Sequence, residues 1–248
     1  MTTQKKPIIV AVDGPAGSGK STICSEVSTK IGWSYVNTGA LYRGVGLLAR
    51  DRGIDLEDEA AVGAMLEKLA GEIRWDYDHH QLFCGTENLT PRLGTVEAGN
   101  AASFIAKQQK VRQLLLPVQR SLAINAPKGA MVDGRDIGTV VFPDASLKVF
   151  MTANLEERAR RRLKQLDGKS GSANSSTSST SSTSSNQPTP SLDSIMDDIA
   201  RRDNQDSKRG EAPLRKADDA VEFDTSGYSQ SEAVDALIAI IRDRGLLG

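Results

Sequence analysis

The sequence predicts an α/β fold, a parallel sheet flanked on both faces by helices. Three observations carry that expectation. Residues 8–12 (Ile-Ile-Val-Ala-Val) are a short continuous apolar run, of the kind buried on both faces of a parallel sheet. A glycine-rich turn follows at once, and then Ile23, Val27 and Ile31 recur at helical spacing ahead of Gly32, a residue suited to end a helix. Beyond it, apolar strand-like segments at 33–36, 130–132, 147–151 and 221–224 alternate with helical stretches.

The remaining elements follow in order. Asn37, Thr38 and Gly39 read as a turn, and residues 40–50 as a helix closed by Gly53. Residues 58–69 form a second helix that stops at Gly71. Segments 73–77, 81–84 and 88–93 are short, alternating and separated by turn residues, which predicts a small antiparallel sheet inserted at about 71–95. Helical character returns over 96–123, where Pro117 is expected to kink or restart the helix near Leu116. A basic helix spans 154–166. Residues 170–191 collapse almost entirely to Ser, Thr, Asn, Gly and Pro, with too few apolar side chains to offset the entropy of ordering, so disorder is expected there. Helix resumes over 192–206, and Ser229 with Glu232 forms a capping box for a last helix running to 242. The whole describes one domain over 1–248: a core at about 1–70, 96–153 and 210–248, the insert at 71–95, and a helical lid at 154–209.

Composition narrows the function. A chain of 248 residues suits one sizeable α/β domain, and a net charge of −1 argues against a nucleic-acid backbone as the main partner. Cys24 and Cys84 lack metal-ligand spacing and read as buried free thiols. His79 and His80 are the only histidines, lie in a mixed polar strand or turn, and read as structural or solvated. The first seven residues are polar, without the apolar stretch of a signal peptide, and no run approaches membrane-spanning length; a cytoplasmic monomer without membrane contact is expected.

Residues 14–21, Gly14-Pro15-Ala16-Gly17-Ser18-Gly19-Lys20-Ser21, match G-x-x-x-x-G-K-[ST] between a strand and a helix, the context that pattern requires. The expected fold is therefore that of the P-loop NTPases. Backbone N–H groups and the helix N-terminus would converge on one anion site. Lys20 would reach the β- and γ-phosphates, and the Ser21 hydroxyl would hold Mg²⁺ with the Asp133 carboxylate behind it as an outer partner. Switches, motors and kinases share this loop. The Asn-Lys-x-Asp box of regulatory GTPases is missing, and Gly134 stands where hydrolytic motors keep a water-activating Glu. Against those absences stands an excess of arginine in the second half: Arg135, Arg158, Arg160, Arg161, Arg162, Arg201, Arg202, Arg209 and Arg215. Transfer between two phosphates explains such an excess. Like unit charges ~4 Å apart repel by about 4 kcal/mol at an effective dielectric of roughly 20. Guanidinium groups neutralise that charge and orient the oxygens by paired hydrogen bonds. A solvated basic helix face is the competing reading of 158–162. A nucleic-acid patch is disfavoured because aromatic residues are only 4% of the chain. A protein that uses ATP only to change shape, and a kinase for UMP or a small alcohol, remain open at this point.

Three stretches together resemble bacterial cytidylate kinases: Asp13 to Thr22, Thr38-Gly39-Ala40-Leu41-Tyr42-Arg43, and Asp133-Gly134-Arg135-Asp136 continuing to Ala145. Asn100 to Ser103, Val111-Arg112, Glu157 to Arg162 and the Arg202…Asp206…Arg209 stretch extend the likeness over nearly the whole chain. The resemblance implies transfer of the γ-phosphate of ATP to CMP or dCMP with Mg²⁺. It implies that residues 14–22, with Thr22 last, bind ATP, and that Lys20, Arg135, Arg162 and Arg202 act on the transferring group. Arg43, Arg135 and Arg209 would hold the acceptor phosphate, Asp206 and Arg202 the sugar side, and Thr38, Ser103, Arg112 and Asp136 the base. Cytosine offers an exocyclic amine that a carboxylate accepts. Uracil would set a carbonyl against Asp136, a mismatch of about 1–3 kcal/mol.

Overall fold

The computed structural model describes residues 7–171 and 191–247. Five strands form the main sheet: β1 (Ile9–Asp13), β2 (Ser34–Asn37), β6 (Ala130–Gly134), β7 (Leu147–Thr152) and β8 (Val221–Asp224). Their order is β2–β6–β1–β7–β8 and every pairing is parallel, as the apolar runs predict. Residue alternation splits the core in two. Val10 and Val12 meet α1 (Lys20–Ile31) and α8 (Gln230–Asp243) on one face. Ile9 and Ala11 face α2 (Thr38–Asp51), α3 (Glu59–Leu69) and α5 (Gln109–Ile124) on the other. The α8 stripe of Val234, Leu237 and Ile241 is wholly buried, each side chain contributing about 1.5–3 kcal/mol relative to exposure. Its capping box at Ser229 and Glu232 is present as expected.

The insert is a three-stranded antiparallel sheet of β3 (Ile73–Asp76), β4 (Gln81–Cys84) and β5 (Glu87–Asn88). It is followed by α4 (Val96–Ile105). α6 (Leu155–Gly171) and α7 (Leu192–Ser207) pack on each other through Ala159, Ile195 and Ile199. Both Cys24 and Cys84 are buried free thiols.

Three expectations need correction. Asn37 to Gly39 is no free turn: the Asn37 side chain accepts from the Ala40 N–H at 3.0 Å, so it caps a helix that already includes Thr38 and Gly39. The break in the 96–123 helix lies at residues 106–108, where Gln108 takes an extended conformation as the cap of α5. Pro117 sits inside α5, whose buried face of Val111, Leu115, Leu122 and Ala123 offsets the backbone bond the proline cannot make. The tract expected at 170–191 is overlapped at both ends: α6 reaches Gly171 and Ser191 caps α7 by accepting from the Ser194 N–H, and the stretch between them lies outside the described residues.

Register fixes where chemistry can gather. Asp13 pairs with Gly134, and Asn37 with Asp133, so the carboxyl ends of β1, β2 and β6 lie side by side. That is the edge at which parallel α/β sheets hold their ligands.

Candidate functional site

The loop after β1 is shaped by its glycines. Gly14 has φ +151°, and a Cβ there would stand 1.9 Å from the Met151 carbonyl oxygen, so only glycine fits. Gly19, at φ +89°, opens α1 with no side-chain cap, which leaves the first N–H groups of that helix available to an anion. Lys20 is buried in the loop, its Nζ donating to the Pro15 carbonyl at 2.7 Å and to Ser18 Oγ at 3.1 Å. Burial, then the nearby Arg135, pulls its pKa down to about 7, against the pull of Asp133. Ser21 donates to Asp133 Oδ2 at 2.7 Å, and Tyr35, from β2, donates to Asp133 Oδ1 at 3.1 Å. Burial holds the Asp133 carboxyl above the usual range, with Lys20 and these two hydroxyls opposing it.

One turn further, Asp136 is buried against Arg112, which donates to its Oδ2 at 2.5 Å; the two side chains are 8% and 10% exposed. Burial raises the Asp136 pKa, and Arg112 then Arg209 pull it back. Arg135 Nε donates to Asp206 Oδ2 at 2.8 Å, and Arg209 donates to Asp206 Oδ1. Burial alone would raise the Asp206 pKa, but Arg135 and Arg209 outweigh it and hold it low. Arg43, from α2, has a lowered pKa from burial and from the like charges of Arg135, Arg162 and Arg202. The basic side chains expected at the site thus gather there from α2 (Arg43), the turn after β6 (Arg135), α6 (Arg162), α7 (Arg202) and the segment just after it (Arg209). Arg162 is half-buried beside Arg202, which lowers its pKa further after burial.

A family model described as cytidylate kinase matches residues 10–243. The chain belongs to the cytidylate kinase family. A cytidylate kinase from an Exiguobacterium species is 40% identical over 240 residues, spanning 96% of this chain and 98% of its own. One from Azotobacter vinelandii is 37% identical over 245 residues, spanning 98% and 99%. One from Bacillus pumilus is 37% identical over 234 residues, spanning 94% and 96%. Membership makes this chain a phosphotransferase, a nucleotide-binding kinase of the nucleoside monophosphate type.

Two candidate base contacts of the site that the cytidylate kinase resemblance implies have backbone partners of their own. The Thr38 hydroxyl is buried and donates to the backbone carbonyl of Asp133 at 2.8 Å. The Ser103 hydroxyl, on α4, turns back to the Gly99 carbonyl of its own helix at 3.0 Å. The arginine excess also divides. Arg160 pairs with Glu156 and Arg201 with Asp198, all four exposed, as a solvated helix face would be. Arg158 is buried, donating to the Ala16 carbonyl at 3.1 Å and pairing with Asp203, whose other oxygen accepts from the Ala16 N–H at 3.3 Å. Arg161 donates to the Ser18 carbonyl at 3.3 Å and to Thr225. Thus α6 and α7 rest directly on the phosphate-binding loop. Sequence reasoning assigned neither Tyr35 nor Asp203 to the site. Their partners are 98 and 187 positions away, and no local pattern marks them.

Proposed function

We propose that the chain transfers the γ-phosphoryl group of ATP to CMP or dCMP, giving ADP and the cytidine diphosphate, with Mg²⁺. The observation that carries this reading is the four-residue stretch Asp133 to Asp136. Its first carboxylate faces the loop serine, its arginine lies beside Lys20 and binds Asp206, and its last carboxylate is buried on Arg112. Donor and acceptor machinery therefore meet on one short segment. Family membership supports the monophosphate acceptor, and the loop supports a triphosphate donor.

In this reading the loop amides and Lys20 hold the donor phosphates, while Arg43, Arg135 and Arg209 hold the acceptor phosphate. An acceptor oxygen attacks the γ-phosphorus, the bond from that phosphorus to the bridging oxygen breaks, and ADP leaves with the electron pair. No strong general base is needed, because the acceptor phosphate is already an anion at neutral pH. Arg162 and Arg202 stabilise the charge of the group in flight. The Ser21 hydroxyl before a buried Asp133 suits a magnesium ion that keeps water and phosphate oxygens as its other ligands. Among the described residues no three acidic, His or Cys side chains cluster to cage a metal by themselves. When bound, it would neutralise charge across the β- and γ-phosphates. Asp136 accepts the cytosine amine while Arg112 supports the ring nitrogen and carbonyl. The β3–β5 sheet serves as the acceptor insert, and α6 with α7 as the lid that excludes water. One chain supplies the whole site, and the cytoplasm, where both nucleotides are present, is the place of reaction.

The test is a panel of nucleoside monophosphates and small alcohols scored for ADP release and for the phosphorylated product. The reading expects CMP and dCMP to lead. ADP release without any cytidine diphosphate rejects it.

A further inference from the structure

Asp13 is the last residue of β1 and stands directly before the phosphate-binding loop. Both of its carboxylate oxygens are occupied by backbone donors from the far side of the site. Oδ1 accepts from the Ile137 N–H at 2.7 Å and Oδ2 from the Gly138 N–H at 2.7 Å. Those two amides open the π-helical turn Ile137–Val141, and the residue just before that turn is Asp136. Asp13 is 5% exposed, so the grip is made out of water. Space around it is tight: a Cβ on Gly138 would lie 3.4 Å from Asp13 Oδ2 and 3.1 Å from Lys148 Cδ.

Such a carboxylate is costly to keep. Burial pushes its pKa up to about 6, the Gly138 and Ile137 amides oppose that, and the neighbouring Asp136 adds repulsion that Lys20 partly offsets. The carboxylate meets each N–H with its own oxygen, whereas an amide of the same shape sets its NH₂ against one of them. A buried charge held at this cost, touching the turn rather than the loop, acts on the residues just before that turn.

We propose that Asp13 is a positioning residue for acceptor specificity: it ties the root of the donor loop to the turn that directly follows Arg135 and Asp136. The base-reading carboxylate is thereby fixed in distance and direction from the phosphate-binding loop. Without that tie Asp136 can still pair with Arg112, but the pair is free to shift relative to the transferring phosphate. The inference rests on the base-reading role given to Asp136 above.

Asp13→Asn tests it. The asparagine oxygen meets one N–H, and its amide faces the other donor. KM for CMP is expected to rise roughly 5- to 100-fold and the CMP-over-UMP ratio of kcat/KM to fall by a similar factor, with KM for ATP within about twofold of the parent. A variant whose CMP KM and CMP-over-UMP ratio match the parent overturns the inference. So does a fall in kcat alone with both quantities unchanged, which a merely structural role would give. If the variant does not fold, amide exchange in the unaltered chain decides: Ile137 and Gly138 should be protected like sheet amides, and exchange at the rate of exposed loop amides overturns the tie. An unaltered chain that uses CMP and UMP equally removes the base reading itself and the inference with it. A parent that prefers CMP, beside an Asp13→Asn protein that prefers it as strongly, removes the inference alone.

Discussion

Replacing Asp136 by Asn removes a buried charge while leaving the shape of the side chain intact. In the parent both carboxylate oxygens can only accept, one of them from Arg112 at 2.5 Å, so a donor on the base is welcome and a carbonyl is not. Asparagine can turn its amide to donate to a uracil carbonyl or its oxygen to accept from a cytosine amine. The discrimination that remains then comes from Arg112 alone. An unpaired polar group in a buried site costs about 1–3 kcal/mol, so the CMP-over-UMP ratio of kcat/KM should fall roughly 5- to 150-fold, mostly because UMP improves. Stability should fall by about 1.5–3 kcal/mol, since Arg112 loses a charged partner but keeps an acceptor. Protonation should mimic the substitution. Burial raises the Asp136 pKa above 3.8, so as pH falls through that raised value the carboxyl gains a proton it can donate to uracil, and the ratio should shrink. The assay is coupled ADP release with each monophosphate at saturating ATP, in parent and variant, across pH. An Asp136→Asn protein with the parent ratio would refute the base-reading argument, because no other charged acceptor is offered to the cytosine amine in this reading.

The other predictions test the donor side and the frame. Lys20→Ala should lower kcat by at least roughly a hundredfold, as loss of a preorganised cationic donor does, yet leave the melting temperature near neutral pH unchanged or raised. The sign follows from its pKa of about 7 in the fold against 10.5 in the unfolded chain: the buried charge costs stability fully below about pH 7, and parent stability rises as pH climbs from there toward 10.5. Tyr35→Phe removes one hydroxyl from the buried Asp133 and should cost about 1–3 kcal/mol in denaturant unfolding while raising the Mg²⁺ concentration needed for half-maximal rate. Deleting residues 172–185, whose composition offers almost nothing to a core, should leave turnover and melting temperature nearly unchanged; loss of most activity would make that tract part of the reaction cycle.

The parallel sheet and its first crossover were legible because they obey local rules. Ile23, Val27 and Ile31 set the α1 face, and Gly32, at φ +69°, ends the helix where glycine is needed. Pro117 misled because the cost of an interior proline is a local term, whereas α5 is held by long-range burial of Val111 and Leu115. Asn37 misled for a related reason: the same side chain that favours a turn also caps a helix, and only the neighbouring core of Leu41 and Val45 selects the cap. At the site, the residue types in Lys20, Ser21, Arg112 and Asp136 announce their chemistry. Their supports do not. Tyr35 looks like any strand aromatic until register places its hydroxyl on Asp133, and Asp203 is one acid among several on α7 until α6 and α7 settle on Ala16.

The arginines divide between the two readings that composition alone allowed. A solvated basic face disposes of its charge locally, as Arg160 does on Glu156 and Arg201 on Asp198, four residues and three residues away along one helix. Arg43, Arg135, Arg162 and Arg202 do the reverse, converging from separate parts of the chain: Arg135, Arg162 and Arg202 add to the burial that lowers the proton affinity of Arg43, and Arg202 does the same to Arg162. Like charges brought together repel, by about 4 kcal/mol at ~4 Å and an effective dielectric of roughly 20, and Asp206 pairs with Arg135 and Arg209. Such crowding is a net burden on folding that chance packing would relieve by turning one long side chain outward. It becomes favourable only when anions bring the missing charge, and a site able to take two phosphate-bearing molecules at once brings most. The proposed transfer between nucleotides draws its support from the convergence of these charges beside Lys20, and not from their number, because it is convergence that costs free energy.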